Sequence, residues 1–192
     1  MRIIILSVSL LCCLMTFPAL SAWQLTNDTS SLSFISIKKG DIAEAHHFKE
    51  LSGQLNDNGK VNFVIDLLSV DTNVAIRDQR MKQFLFHTKV YPKASFTSQL
   101  NMKKFNAIAV GTSGVMKLQG DIDLHGEKHK VEVSVLVSKL SENNLVVSSM
   151  KPVLLNAKSF KLDAGVTKLK ELAVLPDVSN AVPVSFVLSF SR

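Results

Sequence analysis

The sequence predicts an all-β domain of about eight antiparallel strands with one or two short helices. Three observations lead there. Apolar and polar residues alternate with period two along most of the chain. Clusters of Asn, Asp and Gly separate the alternating runs. Only two stretches replace the alternation with helix-forming composition. Strands of this kind have one buried and one wet face, and eight of them in one domain make a barrel or a sandwich.

The runs lie near 23–38, 45–56, 60–68, 93–102, 110–124, 129–140, 144–159 and 181–191. Val61, Phe63, Ile65 and Leu67 share one parity against Asn62 and Asp66. Met116, Leu118, Ile122 and Leu124 oppose Lys117, Gln119, Asp121 and Asp123. Val131, Val133, Val135 and Val137 alternate mostly with polar residues, and Val182, Val184, Phe186, Leu188 and Phe190 close the chain in the same way. Asn56-Asp57-Asn58-Gly59, His125-Gly126-Glu127-Lys128 and Ser141-Glu142-Asn143-Asn144 read as hairpin loops. The first non-alternating stretch, Thr72 to Phe86, predicts a helix capped by Asp71 or Thr72, with Ile76, Arg80 and Phe84 on one face. The second, Val166 to Ala173, follows Gly165 and precedes Pro176.

At 192 residues, 46% hydrophobic and 20% charged, the chain is one ordinary globular domain, which excludes extensive disorder. Residues 1–22 stand apart. Arg2, the apolar run Ile3 to Phe17 and the small residues of Pro18-Ala19-Leu20-Ser21-Ala22 form the three parts of a secretory signal peptide. That apolar run falls short of the ~20 residues a membrane-spanning helix needs. Its removal leaves residues 23–192 as the mature domain and takes both cysteines, Cys12 and Cys13. An exported chain without thiols has no cysteine nucleophile and no Cys-bearing metal site, and suits an oxidising compartment. The periplasm is the expected location, with secretion to the medium second. One arginine leaves with the leader, so 21 basic groups face 16 acidic ones, a net +5. The clusters Lys38-Lys39, Lys103-Lys104 and Lys168 to Lys170 are a solvated surface or a weak attractant for anionic headgroups. No aromatic-interleaved basic stripe points to nucleic acid.

Motifs for catalysis are poor. Gly111-Thr112-Ser113-Gly114 lacks the Gly that a nucleophile elbow needs two residues after its Ser. The glycines form no phosphate-binding pattern. His125, Glu127 and His129 fall in a predicted hairpin rather than on a zincin-type helix. His46 and His47 are adjacent on a strand, so they point to opposite faces and cannot both hold one ion. No enzyme activity, catalytic residue or metal site is expected. Ten phenylalanines remain after leader removal, and their rings suit an apolar lumen or a packed core equally.

Asp71 through Phe96 carries a more specific signal. Arg77-Asp78 opens the helix, Phe84-Leu85-Phe86 follows, and Tyr91-Pro92-Lys93-Ala94-Ser95-Phe96-Thr97-Ser98 begins the next strand. These residues, with Gly114-Val115-Met116-Lys117-Leu118-Gln119-Gly120, Trp23 to Ile37 and Leu51-Ser52-Gly53 to Gly59, resemble the YceI-like family of lipid- and polyisoprenoid-binding domains over essentially all of the mature chain. Lys38-Lys39 stands where that family commonly has a His, Met81 replaces a usual Leu, and Asp163 to Lys170 diverges.

The resemblance implies an eight-stranded, lipocalin-like antiparallel barrel holding an isoprenoid or similar long-chain amphipathic lipid in an apolar lumen, with no reaction and no other cofactor. An eight-stranded barrel is about the size that fills with side chains or holds one small ligand. Phe84, Phe86, Phe96, Met116, Leu118 and Phe186 are the expected tail contacts, and Arg77 the expected head contact. Transient contact with an anionic membrane, and a monomer or homodimer, are expected. The alternatives are a stress or adaptor protein that acts through the surface of a solid barrel, and a haem or metal carrier using His46 or His47.

Overall fold

The structure, a computed structural model, describes residues 22–192. The expected leader lies outside the described residues except for its last position. Twelve β-strands form one antiparallel sheet: β1 Trp23–Leu25, β2 Ser31–Lys38, β3 Ile42–Phe48, β4 Leu51–Leu55, β5 Lys60–Asp66, β6 Val70–Asp71, β7 Lys93–Gln99, β8 Ser113–Leu124, β9 Glu127–Lys139, β10 Asn144–Ser149, β11 Val153–Asn156 and β12 Ala181–Ser191. Several are halves of one broken stave. β1 and β2 both pair with β12, β10 and β11 also pair with it, and β3 continues into β4 beside them. The pairing of Gln24 with Ser191 and Leu25 with Phe190 closes the sheet, giving an eight-stranded barrel.

The breaks have a local cause. A short 3₁₀ turn, Asn27–Thr29, interrupts the first stave, and Lys49–Glu50 interrupts its neighbour. The Asn27 side chain bridges both gaps. Its amide donates to the Lys49 carbonyl at 2.9 Å, and its oxygen accepts from the Leu51 amide at 2.8 Å. The backbone groups freed by the break are thereby satisfied.

Each predicted loop forms a turn. His125-Gly126 is a two-residue hairpin with φ of 55° and 79°, the positive-φ pair that matches strand twist. Gly120 faces inward between Leu118 and Ile122. A β-carbon there would lie 2.5 Å from Phe96 Cε2 and closer still to the Thr97 carbonyl, so only Gly lets the Phe96 ring cross the wall.

The helices depart from expectation. α1 spans Ala75–Arg80 and passes into a π-helical turn, Met81–Leu85, where the Phe86 amide bonds the Met81 carbonyl. Its N-cap is Val74, not Asp71 or Thr72. The capping logic runs backwards: the Thr72 amide and hydroxyl both donate to Asp78 Oδ1, at 2.9 and 2.5 Å. Ile76 is 53% exposed and lies off the buried face. A second helix, α2 Met102–Asn106, was not foreseen and is capped by the Asn101 side chain. α3 spans Asp163–Leu172, close to the expected position.

The two barrel ends differ. At the floor, Trp23 and Phe105 of α2 meet edge-to-face at 6.4 Å, with Arg192 over the Trp23 ring and Lys139 over the Phe105 ring. At the lid end, α3 packs on the π-helical turn, where Gly165 lies against the Phe84 carbonyl and Leu85 Cα. Arg80 donates to the Leu172 carbonyl at 3.2 Å and ties the two lid segments together.

Candidate functional site

Between floor and lid the barrel holds a cavity of about 260 Å³. The inward parity of every long strand supplies its wall, including Phe63 of β5, Leu118 of β8, Val135 of β9 and Phe186 of β12. Leu85 and Phe86 of the lid, with Phe160, Leu162 and Val166, close the top, and Phe105 closes the floor. Ser95 is the one hydroxyl-bearing residue among the lining. The wall is hydrocarbon because period-two alternation delivers one face of each strand to the lumen.

Of the residues predicted from sequence, Phe86, Phe96, Leu118 and Phe186 line this cavity. Phe84, Met116 and Arg77 do not. Met116 shares the inward parity of β8 and is buried, but sits beyond the cavity. Phe84 lies in the π-helical turn, half-buried, with its backbone carbonyl against Gly165. Arg77 joins a polar layer above the cavity.

That layer is built by the same parity that builds the wall. On β2, Leu32 and Phe34 line the cavity and Ser36 and Lys38 continue the row. On β3, Phe48 lines it and His46 and Glu44 continue. His46 is 3% exposed, its ring 5.2 Å from that of Phe34. Its Nε2 lies 2.8 Å from the Ser36 hydroxyl. Burial pushes the His46 imidazole below its ordinary pKa, so it is held neutral, and Arg77 adds to the effect. Glu44 Oε2 accepts from Lys38 Nζ at 2.8 Å and Arg77 Nη1 at 2.7 Å. The Lys38 ammonium, then Arg77, hold the Glu44 carboxyl below the usual range against an opposing cost of burial. Arg77 Nη2 donates to the Thr72 carbonyl at 2.7 Å. Sequence reasoning named Arg77 and His46 singly but missed the layer they form with Ser36, Lys38 and Glu44, although the polar switch on one strand parity was a readable signal. It also missed Phe105, which sits on the unforeseen α2.

His47 points to the other face of β3, 3.7 Å from Asp71 Oδ2. Among the described residues, no group of three or more His, Cys, Asp or Glu converges as metal ligands would. None of their helices is long and apolar enough to cross a membrane.

One family model matches this barrel, that of the YceI-like domain, and it covers residues 23–190. The chain belongs to the YceI-like family. Among solved structures, it is 34% identical to a polyisoprenoid binding domain from Saccharophagus degradans implicated in plant cell wall breakdown. That match covers 89% of this chain and 98% of that one, with a TM-score of 0.86. Burkholderia cenocepacia BcnA is 20% identical over 86% of this chain and 98% of its own, with a TM-score of 0.67. A Campylobacter jejuni YCEI protein is 16% identical over 77% and 84%, with a TM-score of 0.56. The last two share the fold. No curated protein sequence matches the chain.

Proposed function

We propose that this YceI-like protein is a periplasmic binding or carrier protein that holds an isoprenoid or similar long-chain amphipathic lipid in its lumen without transforming it. The observation that carries this reading is the hydrocarbon-walled cavity of about 260 Å³. An empty void with such walls forfeits dispersion contacts and is destabilising, whereas an apolar chain restores them. Each methylene buried contributes roughly 0.8 kcal/mol, so a long tail needs few polar contacts. A relative at 34% identity that is itself a polyisoprenoid binding domain supports the same class of ligand.

The lid end is the natural route for exchange with a membrane. Exposed apolar side chains there include Ile76, Val90, Leu154 and Val174. Lys168 and Lys170 lie on the adjoining α3. Apolar tips beside cations suit brief contact with an anionic leaflet.

Native mass spectrometry of the mature protein purified from its exporting host tests the reading. A co-purifying long-chain mass is the expected result. A bare polypeptide that also takes up no prenyl chain on reconstitution points instead to an adaptor acting through its surface.

A further inference from the structure

We propose that the polar layer at the lid end of the lumen receives an uncharged oxygen head group, a hydroxyl or carbonyl on an apolar tail, in preference to a phosphate. This inference rests on the reading that a lipid fills the cavity and names the head that lipid carries.

Two observations point to a ligand. His46 is 3% exposed, and its Nδ1 is buried with no hydrogen-bond partner among the described residues. Arg77 Nε is in the same condition. Buried polar atoms of this kind are normally satisfied, because each orphan costs the full desolvation of the group. His46 is also placed to meet a ligand head. Its ring packs on Phe34, which lines the cavity, and Phe34 packs on Phe48, another lining residue, at 5.3 Å. A tail lying along Phe34 and Phe48 would bring its head to this level of the barrel.

Charge decides which head. Two cations, Lys38 and Arg77, converge on a single oxygen of Glu44. The second carboxylate of the cluster, Asp78, is taken by Thr72. Two cations and two carboxylates leave the layer with no net positive charge to offset a phosphate. A phosphate would have to displace Glu44 from both its partners, and a pyrophosphate would bring still more charge into a half-buried site.

A neutral oxygen needs no such rearrangement. The Ser36 hydroxyl can donate to His46 Nε2 or accept from it, so Nδ1 can present either an N–H or a lone pair. Arg77 Nε can only donate. A hydroxyl can accept from Arg77 or donate to His46, and a carbonyl can accept from either.

The test is competition against tritiated farnesol by three C15 compounds that share one tail: farnesol, farnesyl pyrophosphate and the hydrocarbon farnesane. Farnesol should bind the wild-type protein about tenfold or more tightly than either rival, in line with the loss expected when a buried donor goes unmet. His46→Leu should erase its advantage over farnesane, and His46→Gln, which keeps a donor and an acceptor, should retain most of it. Pyrophosphate binding as well as farnesol, farnesane binding as well as farnesol, or an undiminished farnesol advantage in His46→Leu would each overturn the inference while leaving lipid binding in place. Failure of all three compounds to bind would overturn lipid binding and this inference together. The wild-type comparison requires no variant, so it decides the matter even if His46→Leu does not fold.

Discussion

His87 Nδ1 lies 3.2 Å from His125 Nε2, and this contact clasps the loop after the lid to the β8–β9 hairpin. Both residues adopt left-handed backbone, with φ of 48° and 55°. His125 Nδ1 faces the Phe160 carbonyl at 3.2 Å. A carbonyl only accepts, so His125 carries its proton on Nδ1, and Nε2 accepts from His87 in the neutral pair. A proton added at His125 Nε2 turns that acceptor into a donor and costs the contact its present hydrogen bond.

Burial, with the charge of His87 as a lesser cause, holds the His125 pKa below its ordinary value of 6.5. His46 is lowered too, chiefly by burial. The unfolded chain therefore takes up protons at a higher pH than the folded one, so stability is fully present above 6.5 and falls as pH drops through the window beneath it. Melting temperature should decline from about pH 7.5 to about pH 5.5. His125→Gln should flatten part of that slope, and a variant with the wild-type slope would show that the clasp does not titrate.

Gly165 tests the lid. In most helices Gly→Ala adds about 1 kcal/mol of stability. Here the new β-carbon would lie 2.6 Å from the Phe84 carbonyl and 2.8 Å from Leu85 Cα, and backbone atoms cannot swing aside. The steric term should win, so Gly165→Ala should lose about 1–3 kcal/mol and speed amide exchange in residues 81–85. A rise in melting temperature would mean that the lid segments move apart freely.

The barrel was legible because its strands are wet on one side. Val131 to Val137 and Val182 to Phe190 declare their parity residue by residue, and the cavity wall follows that parity. The stave breaks were only half legible: the polar run Thr26 to Ser31 marks a place where inward parity passes from Trp23 and Leu25 to Leu32 and Phe34, but the bridge from Asn27 to Lys49 and Leu51 that holds the break is tertiary. α2 escaped notice because five residues, Met102–Asn106, contribute one buried ring, Phe105, and show no helical period. His87 and His125 stand 38 positions apart, and no local pattern joins them. The polar layer was written in Ser36, Lys38, Glu44 and His46, which occupy lumen parity with the wrong chemistry for a wall.

Ala94 of β7 lines the cavity opposite Ile65 and offers a way to fill it from within. Ala94→Leu places three more carbons in the void without touching the polar layer. The ligand-free protein should gain about 1 kcal/mol, and prenyl binding should weaken about tenfold as tail volume is displaced. Thermal melts and farnesol titrations of the same preparation check both. Unchanged binding would place the tail elsewhere.

Val174 is 90% exposed and holds φ of 52°, an uncommon state for a β-branched residue. Val174→Gly should relieve about 1 kcal/mol of backbone strain while removing an apolar tip from the lid end. Stability should rise as association with phosphatidylglycerol vesicles falls severalfold. A stabilised variant that still sediments with vesicles would dismiss this tip as a membrane contact.

Glu44 sets the charge of the polar layer, so its removal should change the class of head group accepted. Glu44→Gln leaves Lys38 and Arg77 without their shared carboxylate. The folding cost should be modest, about 0.5–1 kcal/mol, because the Glu44 side chain is 34% exposed and solvent screens both pairs. The effect on recognition should be larger, since two released cations now face the lumen end and only Asp78, held by Thr72, remains to balance them. Farnesyl pyrophosphate should gain at least severalfold in affinity, farnesol should change little, and the gain should shrink as salt is raised. If the pyrophosphate gains nothing at low salt, the two cations do not reach the ligand, and charge balance at Glu44 is not what selects the head.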